Sequence, residues 1–251
     1  MWKWVSILFI IGVLLPPKGS SQSLTGVTGL LTIPTAEMPA DKQISLGMSY
    51  WNKKYIKYRN SQYDLMALYV NLGYLPFLEI SLRVSRRLDA EKYIPGKTRG
   101  QGIGERMPSI RLRLLSEHRY RPAIVAGAHD FISLGESSRR EDTLTDGDVT
   151  NFNALYLVGS KHFNLGITSS SELGLHLGYG SDWMDAHFHQ FVGMFGGISL
   201  TILKPFDLIL EYDAEHVNVG MRLLLWRHFQ VTSGWQNIDT FVGGFALRMR
   251  L

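Results

Sequence analysis

The segment from Phe241 to Leu251 constrains the fold most. Phe241, Gly243, Phe245, Leu247, Met249 and Leu251 alternate with Val242, Gly244, Ala246, Arg248 and Arg250. The period is two, so this is a strand with one apolar face and one face of small and basic residues. Left at the edge of a sheet, such a strand invites aggregation. Closure into a barrel removes the edge, because the last strand then pairs with the first. An amphipathic strand of a soluble β-protein is the other reading of this stretch taken alone.

The rest of the chain favours closure. Gln43 to Trp51 sets Ile44, Leu46, Met48 and Tyr50 against Gln43, Ser45, Gly47 and Ser49. The same alternation recurs in Phe77–Arg86, Ser109–Leu114, Glu172–Tyr179, Met194–Ile202, Asp207–Asp213, Val217–Leu223 and Phe229–Trp235. Tyr63–Leu72, Pro122–Phe131 and Phe152–Lys161 are strand-like in composition but weakly phased. The polar faces carry Gly, Ser, Arg, Asp and Glu, which suit a narrow lumen better than bulk water. Connection lengths give an independent test. If the chain starts in the periplasm, odd-numbered connections lie outside and should be long, and even-numbered ones should be short. Connections 52–62, 87–108, 132–151 and 181–191 are long, 73–76, 116–121 and 203–205 are short, 162–171 is intermediate, and past the eighth strand every connection is short, so the test is silent there. Segments of about ten alternating residues are the expected length for a tilted membrane strand. The reading is an all-β transmembrane antiparallel β-barrel of about 12 strands, with roughly 10 to 14 allowed. It occupies residues 43–251. Beyond the first residues no apolar run approaches the ~20 needed by a spanning helix. Trp51, Tyr63, Tyr74, Phe77, Phe206 and Trp226 fall near strand ends, where amphipathic rings sit at membrane interfaces.

Ahead of the barrel, residues 1–21 read as a secretory signal: Lys3, an apolar core from Val5 to Leu15, then Pro16, Pro17 and the small residues Gly19, Ser20 and Ser21. Residues 22–42 are read as a periplasmic lead, tucked into the barrel mouth or left as a disordered tail. Pro34 and Pro39 forbid a continuous strand there. The chain has no cysteine, so disulfides, thiolate metal sites and a lipobox cysteine are excluded.

The opening of the mature chain carries Gly26, Gly29-Leu30, Pro34-Thr35-Ala36 and Met38-Pro39 before its first alternating strand. A later hairpin reads Glu211-Tyr212-Asp213 and then Val217-Asn218-Val219-Gly220. Together these stretches resemble the YjbH-like family of outer-membrane proteins. The resemblance implies a β-barrel linked to exopolysaccharide or capsule production.

The distribution of charge is more informative than its net value of +4. A basic stretch runs from Arg83 to Arg121. Arg83, Arg111 and Arg113 should project into the lumen from adjacent strands, and Arg222, Arg248 and Arg250 share the polar faces of theirs. These cations either favour an anionic solute or polysaccharide in the lumen, or pair with Glu172, Asp207, Glu211 and Asp213 to fill and stiffen it. Lys53, Lys54, Lys57 and Arg59 interleave with aromatics in the first external loop and are candidates for contact with a glycan or with lipopolysaccharide phosphates. Asp182, Asp185, His187 and His189 crowd one connection without a recurring metal-ligand spacing. Glu141, Asp142, Asp146 and Asp148 do not match a calcium loop. No metal, cofactor or nucleic-acid partner is expected. Histidines and serines are present, but no G-x-S-x-G context marks a nucleophile. The functional expectation is a non-catalytic outer-membrane barrel supporting exopolysaccharide or capsule export. Its expected partners are lipid, lipopolysaccharide, an anionic polysaccharide and periplasmic export proteins. A narrow anion-preferring channel and a lipid-modifying hydrolase are the alternatives.

Overall fold

The computed structural model describes residues 21–55, 64–88, 106–132, 153–168, 170–184, 190–226 and 228–251. The proposed signal, Lys57, Arg59, Asp185, His187, His189 and the acidic stretch 141–148 lie outside these residues.

Twelve antiparallel strands close into a barrel. They are β1 (Gln43–Trp51), β2 (Leu65–Gly73), β3 (Leu78–Arg87), β4 (Arg106–Leu115), β5 (Ala123–His129), β6 (Ala154–Asn164), β7 (Glu172–Ser181), β8 (Gly193–Leu203), β9 (Phe206–Tyr212), β10 (Val217–Leu225), β11 (Phe229–Gln236) and β12 (Thr240–Arg250). Every strand pairs with its neighbours in sequence, and β12 returns to β1 with Gln43 opposite Arg250 and Tyr50 opposite Gly243. The sheet therefore has no edge, which is what the terminal alternation requires. One end of the barrel, the turn end, carries the connections 74–77, 116–122, 165–171, 204–205 and 226–228. The other, the loop end, carries 52–64, 88–105, 130–153 and 182–192, followed by the short turns 213–216 and 237–239.

The outward face is apolar. Leu46, Leu68, Val70, Leu82, Ile110, Leu112, Ile198, Leu210, Phe245 and Leu247 are all exposed on it. A continuous band of this kind is far beyond what a water-facing surface tolerates, and it is the surface a bilayer solvates. Tyr74, Phe77 and Trp226 are exposed at the turn end, at interfacial height. Phe206, placed near the same end by its sequence position, is only half-buried at the start of β9.

The weakly phased strands now have an explanation. β2, β5 and β6 point apolar residues inward as well as outward. Ala67, Tyr69, Val125, Tyr156 and Val158 are buried in the lumen. Alternation fades when both faces meet apolar surroundings.

Candidate functional site: a strapped lumen with an open vestibule

What these inward residues meet is the chain's own N-terminal segment. Residues 22–36 lie inside the barrel, and Gln22, Ser23, Thr25, Val27, Thr28, Leu31, Ile33, Thr35 and Ala36 are inaccessible. The segment is not an extension beyond the barrel but a strap folded within it. It turns tightly on itself: the Ser23 amide donates to the Val27 carbonyl at 2.8 Å, and the Leu30 amide to the Ile33 carbonyl at 3.0 Å. Gly29 sits where a Cβ would lie 2.2 Å from the Ile33 carbonyl oxygen, so no other residue fits without moving the backbone.

The strap docks leucines into glycine sockets in the wall. A Cβ on Gly197 would lie 2.6 Å from Leu30. One on Gly234 would lie 2.8 Å from Leu31, one on Gly220 3.0 Å from Leu31, and one on Gly244 2.9 Å from Leu24. Leu24, Leu30, Leu31 and Ile33 then share one core with Tyr156, Val158, Phe195, Ile209 and Val242. A wall carbonyl is nearer still at Gly234, Gly244 and Gly220, at 2.4 Å (Val219), 2.3 Å (Met48) and 2.9 Å (Ser233), so these glycines answer to the wall's own backbone as well as to the strap.

A strap without its own ladder must find partners for its backbone groups in the wall. Four charged side chains supply them. The Glu211 carboxylate accepts the Leu31 and Thr32 amides, both at 2.9 Å, together with the Thr32 hydroxyl. Glu79 accepts the Thr28 amide at 2.8 Å. Arg111 bridges Glu79 to the Thr35 carbonyl. Arg222 donates to the carbonyls of Gly29 and Leu30 at 2.8 and 2.9 Å. Polar contacts complete the fit: Gln230 brackets the Gln22 backbone, Ser49 donates to the Leu24 carbonyl, Ser81 to the Gly26 carbonyl, and Ser160 accepts the Ala36 amide.

Above the strap, at the loop end, Arg83 pairs with Asp130 in full burial. Ser109 lies 2.6 Å from His129 Nδ1 and accepts the Asp130 amide at 2.9 Å. This is a Ser–His contact with an acid nearby. However, Asp130 engages Arg83 and Ser109 rather than the far ring nitrogen, and Ser109, His129 and Asp130 are inaccessible. A second histidine, His176, touches Ser160 at 2.8 Å and Ser199 at 3.2 Å, and among the described residues no carboxylate is hydrogen-bonded to it.

Below the strap, at the turn end, a vestibule of about 620 Å³ remains open between strap and wall. It follows the wall from β4 to β10. Its middle is a charge chain in which His162 reaches Glu37 of the strap at 3.1 Å and Glu117 at 2.7 Å, and Lys161 meets Glu117 at 3.0 Å. Burial alone would raise the Glu37 carboxyl. The hydrogen bond and charge of His162 outweigh it and hold the group down at about 2. Glu117 is lowered for the same reason, its partial burial opposed by hydrogen bonds from His162 and Lys161.

The sequence-derived site residues divide accordingly. Arg83, Arg111, Arg222, Arg248 and Glu211 face the lumen and are buried. Arg113, Glu172 and Asp207 line the vestibule, with Asp207 at 3.5 Å from Arg222. Asp213 accepts the side-chain amide of lumenal Asn218 at 3.0 Å and has no arginine partner among the described residues. β9 ends at Tyr212, and Asp213 caps the next turn by accepting the Glu215 and His216 amides. Arg250 is exposed at the rim, because the barrel ends before its side chain finds a wall. Lys53 lies in a short 3-10 turn, and neighbouring Lys54 pairs with Asp239 across the loop end. Glu79 and Asp130 are the actual carboxylate partners of Arg111 and Arg83; Glu79 was legible as a polar-face position, and Asp130 lay in a weakly phased stretch.

A family model described as exopolysaccharide biosynthesis protein YbjH matches residues 21–251. The chain belongs to this YjbH family. An uncharacterized lipoprotein YjbH of Escherichia coli (strain K12) is 26% identical over 277 residues, spanning 92% of this chain and 35% of that protein. This family member therefore spans about a third of the length of that relative. Among solved structures, a KdgM porin matches at a TM-score of 0.45 and 13% identity, over 82% of this chain and 98% of that one.

Proposed function

We propose that the chain is an outer-membrane barrel of a Gram-negative bacterium that supports export or surface assembly of an exopolysaccharide. It does so without catalysis, as a strapped barrel whose vestibule faces the periplasm. Membership of the exopolysaccharide family and the apolar outer band support this setting. One observation carries the mechanism: residues 22–36 fill the lumen while the turn end stays open. A barrel built this way acts as a platform, with the vestibule and turns available to periplasmic export proteins and the rim to lipid and lipopolysaccharide.

The channel reading is weaker because Arg111 and Arg222, which a selective constriction would use, are engaged by strap carbonyls. The hydrolase reading is weaker because the Ser109–His129 contact is sealed. Deleting the gene and measuring secreted and surface glycan tests the proposal, with reduced glycan expected and unchanged glycan counting against it. Fractionation with gel mobility before and after boiling tests the setting, since closed barrels migrate differently until boiled.

A further inference from the structure

Most charges of the lumen are accounted for by the strap or by each other. Two cations are not. Arg113 on β4 and Lys204 in the β8–β9 turn both line the vestibule, and among the described residues neither has a hydrogen-bonded or ion-paired carboxylate. Among the described strand pairs the sheet shifts register in two places, between Arg113 and Leu115 and between Thr201 and Leu203. Each shift sits beside one of the two cations. Such bulges re-aim side chains at barrel rims.

Between the cations the floor is made of hydroxyls and an amide: Ser116, Asn164, Ser170, Ser171, Ser199 and Thr201. Four acids line the same crescent: Glu172 on β7, and Glu37, Glu117 and Asp207, the last three each held by a cation. Glu37 and Glu117 share His162 and Lys161, and Asp207 takes Arg222 and the Thr201 hydroxyl. The cations without a carboxylate partner among the described residues therefore stand on β4 and in the β8–β9 turn of a hydroxyl-lined groove. At about 620 Å³ the cavity lies in the size range of small-ligand sites.

We infer that this crescent is a binding site for a short carboxylate-bearing oligosaccharide, held at its acidic groups by Arg113 and Lys204 and along its hydroxyls by the serine floor. The inference rests on the polysaccharide reading above and names the chemistry its glycan should carry. The guanidinium fork of Arg113 suits a carboxylate in two-point contact, and Lys204 serves as a point charge.

The test uses the full chain folded in lipid nanodiscs, with trigalacturonate as the acidic probe, maltotriose as the neutral one and inorganic phosphate as the competitor, read by calorimetry. Expected are binding of trigalacturonate, none of maltotriose, and a loss of about tenfold in affinity for each of Arg113→Gln and Lys204→Gln, the size of one charge-assisted hydrogen bond. Heat-modifiable gel mobility verifies that both variants remain closed barrels. Equal binding of maltotriose, displacement by phosphate at matching concentration, or binding unmoved by both variants overturns the site. In cells the two readings separate. Unchanged glycan on deletion defeats the polysaccharide function. Reduced glycan that Arg113→Gln/Lys204→Gln restores in full defeats the site alone.

Discussion

Replacing Glu211 with alanine should loosen the strap while leaving the barrel closed. Its carboxylate accepts the Leu31 and Thr32 amides at 2.9 Å each, the Thr32 hydroxyl, and Asn218 at 3.1 Å. Alanine strands two buried backbone donors, and each such loss costs about 1–3 kcal/mol. Water entering the vacated space offsets part of this, so a net weakening of about 3 kcal/mol is a fair estimate, or roughly 100-fold in the population of released strap. The chain contains no cysteine, so Val27→Cys places a single thiol at a position with no solvent access. Maleimide labelling of folded protein in nanodiscs then reports strap release, provided opening and closing are fast compared with labelling. The Glu211→Ala background should label roughly 100-fold faster than the Val27→Cys parent, and Glu211→Gln, which keeps one acceptor, should fall between. A Glu211→Ala rate within about threefold of the parent would refute the claim that this carboxylate holds the strap.

Gly220→Val should displace Leu31 from its socket and lower barrel stability by about 1–3 kcal/mol, read as an earlier loss of heat-modifiable mobility on a temperature series. Asp130→Ala leaves Arg83 buried without its carboxylate and should cost about 3–5 kcal/mol in the same assay. The Glu37–His162 contact should be sensitive to acid. Glu37 is depressed from its ordinary 4.5 to about 2, so its stabilising effect is complete above pH 4.5 and lost as pH falls from there towards 2. The stability gap between wild type and Glu37→Gln should accordingly be constant from pH 4.5 to neutrality, where His162 supplies the opposing charge, and close below 4.5. A gap that persists at pH 2 would contradict the assignment.

The wall of the barrel was readable because one face meets lipid and the other meets polar groups. β1 runs from Gln43 to Trp51 as its alternation predicts, and the long and short connections sort to opposite ends through β8. β2, β5 and β6 resisted phasing for the reason seen at Tyr69, Val125 and Tyr156: an apolar guest lies behind an apolar wall. The strap was legible as a segment with glycines and prolines that could tuck into the barrel mouth and plug it, but the way it docks was not. Its leucines alternate with nothing, and their sockets are glycines scattered over β8, β10, β11 and β12. Gly197, Gly220, Gly234 and Gly244 were legible as small lumen-facing residues, but not as positions that a leucine approaches. The arginines were placed on the correct face, yet their partners depend on height within the barrel. Arg111 meets Glu79 across one strand pair, whereas Asp213 falls past the end of β9. Alternation gives the face of a residue and leaves its height to the register.

Hydrogen exchange of the folded protein in nanodiscs, resolved by peptide, tests the strapped lumen most directly. The account predicts that residues 22–36 exchange as slowly as β1, because their amides are held by Glu79, Glu211, Ser160 and the strap's own turns. Complete exchange of this segment at the earliest time point, with the strands still protected, would contradict it.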